Sequence, residues 1–135
     1  MQTVQTEVIP VRLVVGEAER EERQYEITWT PALLVLGPNG TVYQRFEGFL
    51  SADEYVPMLL LGKATMHFRQ RRYDLASAIL ARIAQEYAGT TFRPEVLFYL
   101  FIAQLWSGQR EAAATAQAEL KSHYVDSLWA RRIPD

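Results

Sequence analysis

The chain carries a second copy of part of itself. Shifted by 37 positions, Phe68 falls on Leu105, Ala76 on Ala113, Ile79 on Ala116, Ala81 on Ala118, Ile83 on Leu120, Tyr87 on Tyr124 and Thr90 on Ser127. Tyr73-Asp74-Leu75-Ala76 and Arg110-Glu111-Ala112-Ala113 each open a helix after a short turn. Each of these helices closes on a tyrosine followed by turn residues, Ala88-Gly89-Thr90 in one case and Val125-Asp126-Ser127 in the other. A repeat of this length is a supersecondary unit that cannot bury its apolar face alone and stacks on its neighbour. From Ser51 onward the pattern is helical, punctuated near Gly62, at Arg71-Arg72, at Ala88-Gly89-Thr90 and at Gly108. This predicts two helical hairpins, with Ala76 and Ala113 placed where antiparallel helices cross too closely for a larger side chain.

The first part of the chain reads differently. Val8 to Val15 is β-branched and apolar and predicts a buried strand, with Pro10 near its start or on an edge. Glu17 to Tyr25 is highly charged and predicts a short exposed helix. Ala32 to Leu36 is apolar without alternation, the pattern of a strand covered on both faces. Gly37-Pro38-Asn39-Gly40 then predicts a turn and Thr41 to Glu47 a second strand, together a β-hairpin. Ser51-Ala52-Asp53-Glu54 is the pattern of a capping box, with Leu50 and Tyr55 as its hydrophobic staple. Pro57 is predicted to kink that helix or tighten its first turn. The expected fold class is α+β, a small sheet within residues 1–61 followed by helical hairpins within residues 62–135.

Two resemblances follow from these residues. The hairpin pair resembles two tetratricopeptide repeats, whose usual length is about 34 residues, the extra residues fitting the loop between hairpins. The ordered set Tyr25-Glu26-Ile27, Thr30-Pro31, Ala32 to Leu36, Asn39-Gly40, Gly48 and the helix after Ser51 resembles the second half of thioredoxins. That resemblance spans about residues 8 to 61. It implies a cis peptide bond at Thr30–Pro31, and a loop of Trp29, Thr30 and Pro31 bordering a site that grips extended peptides through backbone contacts; without cysteines that loop either still binds peptide or is purely structural. It also implies what is missing: the opening strand-helix-strand-helix with its Cys-x-x-Cys, including a strand from the middle of the sheet. The remaining strands close up, or a second chain fills the gap, or the chain belongs to a longer protein.

The chemistry is bounded by composition. The sequence has no cysteine, so it has no dithiol couple, thiolate metal site or cysteine nucleophile. A net charge of -2 argues against nucleic acid as a partner. The longest apolar run, Val96 to Ala103, is far shorter than the ~20 residues that cross a bilayer, so no membrane partner is expected. Met1 to Gln5 lacks the basic and apolar regions of a signal peptide, which predicts a soluble, cytoplasmic protein. His67 and His123 are the only histidines, and neither has ligand-like spacing. No metal or cofactor is expected. The charges from Glu17 to Arg23 read as a solvated helix face, and Arg69, Arg71 and Arg72 as cations suited to a helix C-terminus.

One segment exceeds what two hairpins need. Val96 to Trp106 is apolar around the whole helix circumference, and such a helix must be buried on all sides. The cover is either the sheet half or a second chain; the expectation is an interface of Phe98, Phe101, Ile102, Leu105 and Trp106, with a homodimer as the assembly. The resulting expectation is a non-catalytic interaction module that holds client proteins or peptides. Two alternatives stay open: the C-terminal fragment of a thioredoxin-like oxidoreductase whose redox motif lies upstream of Met1, and a structural subunit of a larger complex. With no thiol to attack a disulfide, the chain is expected to give no turnover above background in an insulin-reduction assay, and measurable turnover would show another electron carrier.

Overall fold

Gly37-Pro38-Asn39-Gly40 makes the expected hairpin turn in the structure, a computed structural model that describes residues 8–14 and 16–134. Strands β1 (Ala32–Leu36) and β2 (Val42–Glu47) form a two-stranded antiparallel sheet, with Leu33 opposite Phe46 and a bulge after Val35. In the turn, the Gly37 N–H donates to the Thr41 carbonyl at 2.9 Å, and the Asn39 side-chain oxygen accepts from the Thr41 N–H at 3.2 Å. Gly40 holds φ +85, a conformation that suits a residue without Cβ. At the open end the Thr30–Pro31 bond is cis, as expected, and the Gly48 N–H donates to the Pro31 carbonyl at 2.7 Å. The charged segment forms the short exposed helix α1 (Glu19–Gln24), which buries no residue. Arg45 of β2 donates to the Tyr25 carbonyl and ties the end of α1 to the sheet.

Two strand expectations need correction. Residues 8–14 form no strand, and Ile9, Val11, Leu13 and Val14 are exposed; Val15 lies outside the described residues. A β-branched run becomes a strand only where a neighbour accepts its ladder, and among the described residues β1 pairs with β2 alone. Nor is β1 covered on both faces. Val35 is buried, Leu33 and Leu34 are half-buried, and Leu36 is exposed.

The helical part contains α2 (Ala52–Arg69), α3 (Tyr73–Glu86), α4 (Arg93–Trp106) and α5 (Arg110–His123), followed by a 3-10 turn at Ala130–Arg132. The molecule is thus α+β, a two-stranded sheet followed by four long helices. Each long helix packs on the next, and α2 also receives both strands. That double duty explains its sequence: every residue from Pro57 to Gly62 is buried. Leu60, Leu61 and Ala64 join the main core with Ala76, Leu80, Ile83, Val96, Leu97, Leu100, Ala103, Ala116 and Leu120. Met58 and Leu59 join Val35 in a smaller cluster under the sheet, flanked by Leu33, Phe46, Leu50 and Phe92.

The expected break at Gly62 does not occur, because α2 runs through it, and through Pro57, to Arg69. Residues 61 and 62, where the two sequence halves were divided, therefore lie inside one helix. Gly62 has another role. A Cβ there would lie 2.6 Å from Cγ1 of Val35 and 2.7 Å from its Cβ, so the strand rests on bare helix backbone. The capping box also differs. Ser51 occupies the N-cap in extended conformation, but its side chain makes no capping hydrogen bond. Glu54 is buried and reaches the loop between α3 and α4, accepting from the Thr90 hydroxyl at 2.5 Å and the Thr91 N–H at 3.0 Å. A carboxylate satisfied by tertiary donors has no need of the local N–H that a capping box offers.

The repeat read from sequence is present in the backbone. α3 and α5 begin 37 residues apart and end 37 residues apart, as do the ends of α2 and α4. The turns between paired helices use the same conformations. Arg71 and Gly108 both have positive φ, +60 and +83, and the caps Arg72 and Gln109 have ψ of 68 and 66. The Arg72 N–H donates to the His67 carbonyl at 2.9 Å, and the Gln109 N–H to the Gln104 carbonyl at 2.8 Å. Ala76 and Ala113 are both buried, as the close crossing requires.

Gly62→Ala is expected to lower stability despite the helix propensity it gains. The propensity gain is at most ~1 kcal/mol, whereas overpacking costs ~1–3 kcal/mol, and Val35 is stiff at χ1. Urea denaturation should show a lower midpoint for Gly62→Ala, partly restored in the Gly62→Ala/Val35→Ala double variant. A midpoint equal to wild type would mean that the strand does not rest on this glycine.

Candidate interaction groove

Within the described chain, helix α4 is not buried on all sides. Val96, Leu97, Leu100, Ala103 and Gln104 are buried within the chain, between α3 and α5. Its other side is left partly open. Phe98, Phe101 and Ile102 are half-buried, and Leu105 and Trp106 are 46% and 69% exposed. These are the five residues assigned to an interface from sequence, and the fold brings them to one place. With Gln117 of α5 and Arg132, Ile133 and Pro134 of the C-terminal segment they line a groove of about 320 Å³.

Aromatic packing fixes the groove's walls. Phe98 meets Trp129 with ring centroids 5.2 Å apart, and Tyr99 meets Trp129 at 5.6 Å. The Arg132 guanidinium lies 4.4 Å from the Trp129 ring and 5.9 Å from that of Phe98, a cation–π stack at one end. Trp106 stacks on Tyr73 at 6.3 Å at the other. At the start of α4, Arg93 clamps three elements. Its Nε and Nη2 donate to Glu119 of α5 at 2.6 and 3.0 Å, and its Nη1 donates to the Ala84 carbonyl of α3 at 2.8 Å. A bidentate pair of this kind sets orientation as well as energy. The helix that carries most of the groove is thus tied to both of its neighbours.

Two acidic groups near this frame titrate in opposite senses. Burial pushes the Glu95 carboxyl above its usual range, against the pull of its hydrogen bond from Gln44 and of Arg132. The hydrogen bond from Arg93 holds the Glu119 carboxyl below its usual range. His67 is held below its ordinary value, first by burial and then by Arg72 and Lys63. His67 Nδ1 and Gln104 Oε1, at equivalent places in the two repeats, are buried and find no hydrogen-bond partner among the described residues.

The second site expected from sequence is less enclosed. Trp29, Thr30 and Pro31 are all exposed where the chain enters β1, with Trp29 at 65%. The neighbouring concavity, lined by Glu22, Arg23, Glu26, Ile27, Thr28, Arg45 and Glu47, includes none of the three. No cluster of three His, Asp or Glu side chains that could hold a metal occurs among the described residues. None of their helices is long and apolar enough to cross a membrane. Gln117, Arg132, Ile133 and Pro134 were not assigned to the site from sequence. The signal for two of them was present, since the 37-residue shift carries Leu80 to Gln117 and Val96 to Ile133. Comparison with protein-family models, curated proteins and solved structures gives no match.

The two carboxylates give a pH prediction. Glu95 has a raised value in the fold, so its contribution is fully present below the ordinary carboxylate range and is lost as pH rises through the folded value. Glu119 is depressed, so its contribution is present above the ordinary range and is lost as pH falls. Urea midpoints measured from pH about 3 to 8 should show Glu95→Gln gaining on wild type toward neutral pH, and Glu119→Gln losing most there. Parallel profiles for both variants would contradict the assignment.

Proposed function

We propose that this chain is a non-catalytic protein-interaction module that engages a partner through the groove on α4 and α5. One observation carries the reading: five large apolar side chains of α4 are gathered on a surface that the described chain leaves partly uncovered, on a frame that Arg93 and Glu119 hold in place. Each such side chain gains ~1.5–3 kcal/mol when fully buried, so a covered groove is favoured over an open one. The absence of cysteine and the resemblance to tetratricopeptide repeats support the same reading. A cytoplasmic setting and the holding of client proteins or peptides belong to it.

A photo-crosslinking amino acid in place of Leu105 tests this, with Leu75 as the control, because both are about half exposed and only Leu105 lines the groove. In the cell that makes the protein, protein adducts are expected at position 105 and not at position 75. Adducts joining two copies of the chain would identify the homodimer. Equal yields at both positions would remove the groove as the interaction surface.

A further inference from the structure

Resting on that reading, we infer that the groove receives one amphipathic α-helix of a partner protein, seated where the first helix of a third repeat would lie. The first repeat supplies the template. The groove residues Phe98, Phe101, Ile102, Leu105 and Gln117 correspond, 37 positions back, to Leu61, Ala64, Thr65, Phe68 and Leu80. In the first hairpin those positions are closed. Leu61, Ala64 and Leu80 are 0% exposed and Thr65 is 3%, inside the core that α4 completes, and Phe68 meets Tyr99 of α4 with centroids 5.0 Å apart. The same surface recurs on the second hairpin, and no helix among the described residues lies upon it.

The C-terminal segment enters that position with a 3-10 turn and then leaves the helical conformation. The 3-10 turn starts at Ala130, 37 residues after Arg93, where α4 starts. Ile133 is buried at the position equivalent to Val96. It is extended, with φ -95 and ψ 120, because the residue before a proline is driven out of the helical region. The described residues therefore fill only the first turn of the position.

The template also sets the chemistry of the occupant. An incoming helix needs an apolar stripe like that of Val96, Leu97, Leu100 and Ala103, which face inward on α4. Arg131 and Arg132 stand exposed at the end where it begins. A helix N-terminus brought near two cations needs acidic residues in its first turn, as α4 itself has Glu95. The occupant is thus an amphipathic helix with an acidic first turn.

A synthetic peptide tests this directly. It carries the α4 sequence, Arg93 to Trp106, with Phe98, Phe101, Ile102, Leu105 and Trp106 replaced by Gln or Lys, so that the open side is polar and the inward stripe stays apolar. Fluorescence anisotropy with the full chain should show saturable binding. Leu105→Glu in the protein should weaken it at least about tenfold, the effect of ~1.4 kcal/mol, with an unchanged circular-dichroism melt because Leu105 is half exposed. Leu100→Asp in the peptide should abolish binding. Equal binding by the Leu100→Asp peptide, indifference to Leu105→Glu, or no binding at all would overturn the proposed occupant. A dimer by light scattering that Leu105→Glu converts to monomer would also overturn it, while leaving the groove as an interaction surface. The crosslinking comparison at positions 105 and 75 fails only if the groove itself is not that surface.

Discussion

Val35 rests on the bare backbone of Gly62, and this contact decides how the two halves of the molecule share one helix. A two-stranded hairpin is not stable by itself in water. It needs an apolar support, and α2 supplies one while packing α3 on another side. Gly62 brings the strand closer than any other residue would allow. The Val35, Met58 and Leu59 cluster forms around that approach, and the main helical core begins one residue later, at Leu60. Both cores are reached from a single helical turn.

What the sequence disclosed depended on whether a signal was local or shared. The hairpin turn was legible because Asn39-Gly40 carries its own backbone preference. The repeat was legible because two stretches constrain each other, and even the positive-φ positions Arg71 and Gly108 match. The five groove residues were legible as an apolar excess on one helix. Three readings failed where a neighbour decides the outcome. Residues 8–14 have the composition of a strand but no ladder to join. Gly62 looks like a breaker until Val35 is placed against it. Glu54 looks like a capping residue until Thr90 and Thr91 arrive from 36 and 37 positions away.

The two hairpins hold the same surface in two different states. Each helical hairpin presents the same surface to whatever follows it, and only the first hairpin has a complete successor among the described residues. The side chains register the difference. Ala64 and Thr65 are small where α4 closes over the first hairpin, whereas Phe101 and Ile102 stand at the equivalent places on the second. Bulkier residues partly cover their own surface, which reduces the apolar area left to water without removing it.

Glu54 also bears on how the molecule comes apart. Stacked hairpins that touch only their neighbours can fray from one end, because losing a terminal unit disturbs only one interface. Here the first turn of α2 is bonded to Thr90 and Thr91, the residues that lead into α4. Opening the first hairpin would strand a buried carboxylate and release the start of the second. The tie couples the opening of the first hairpin to that of the second.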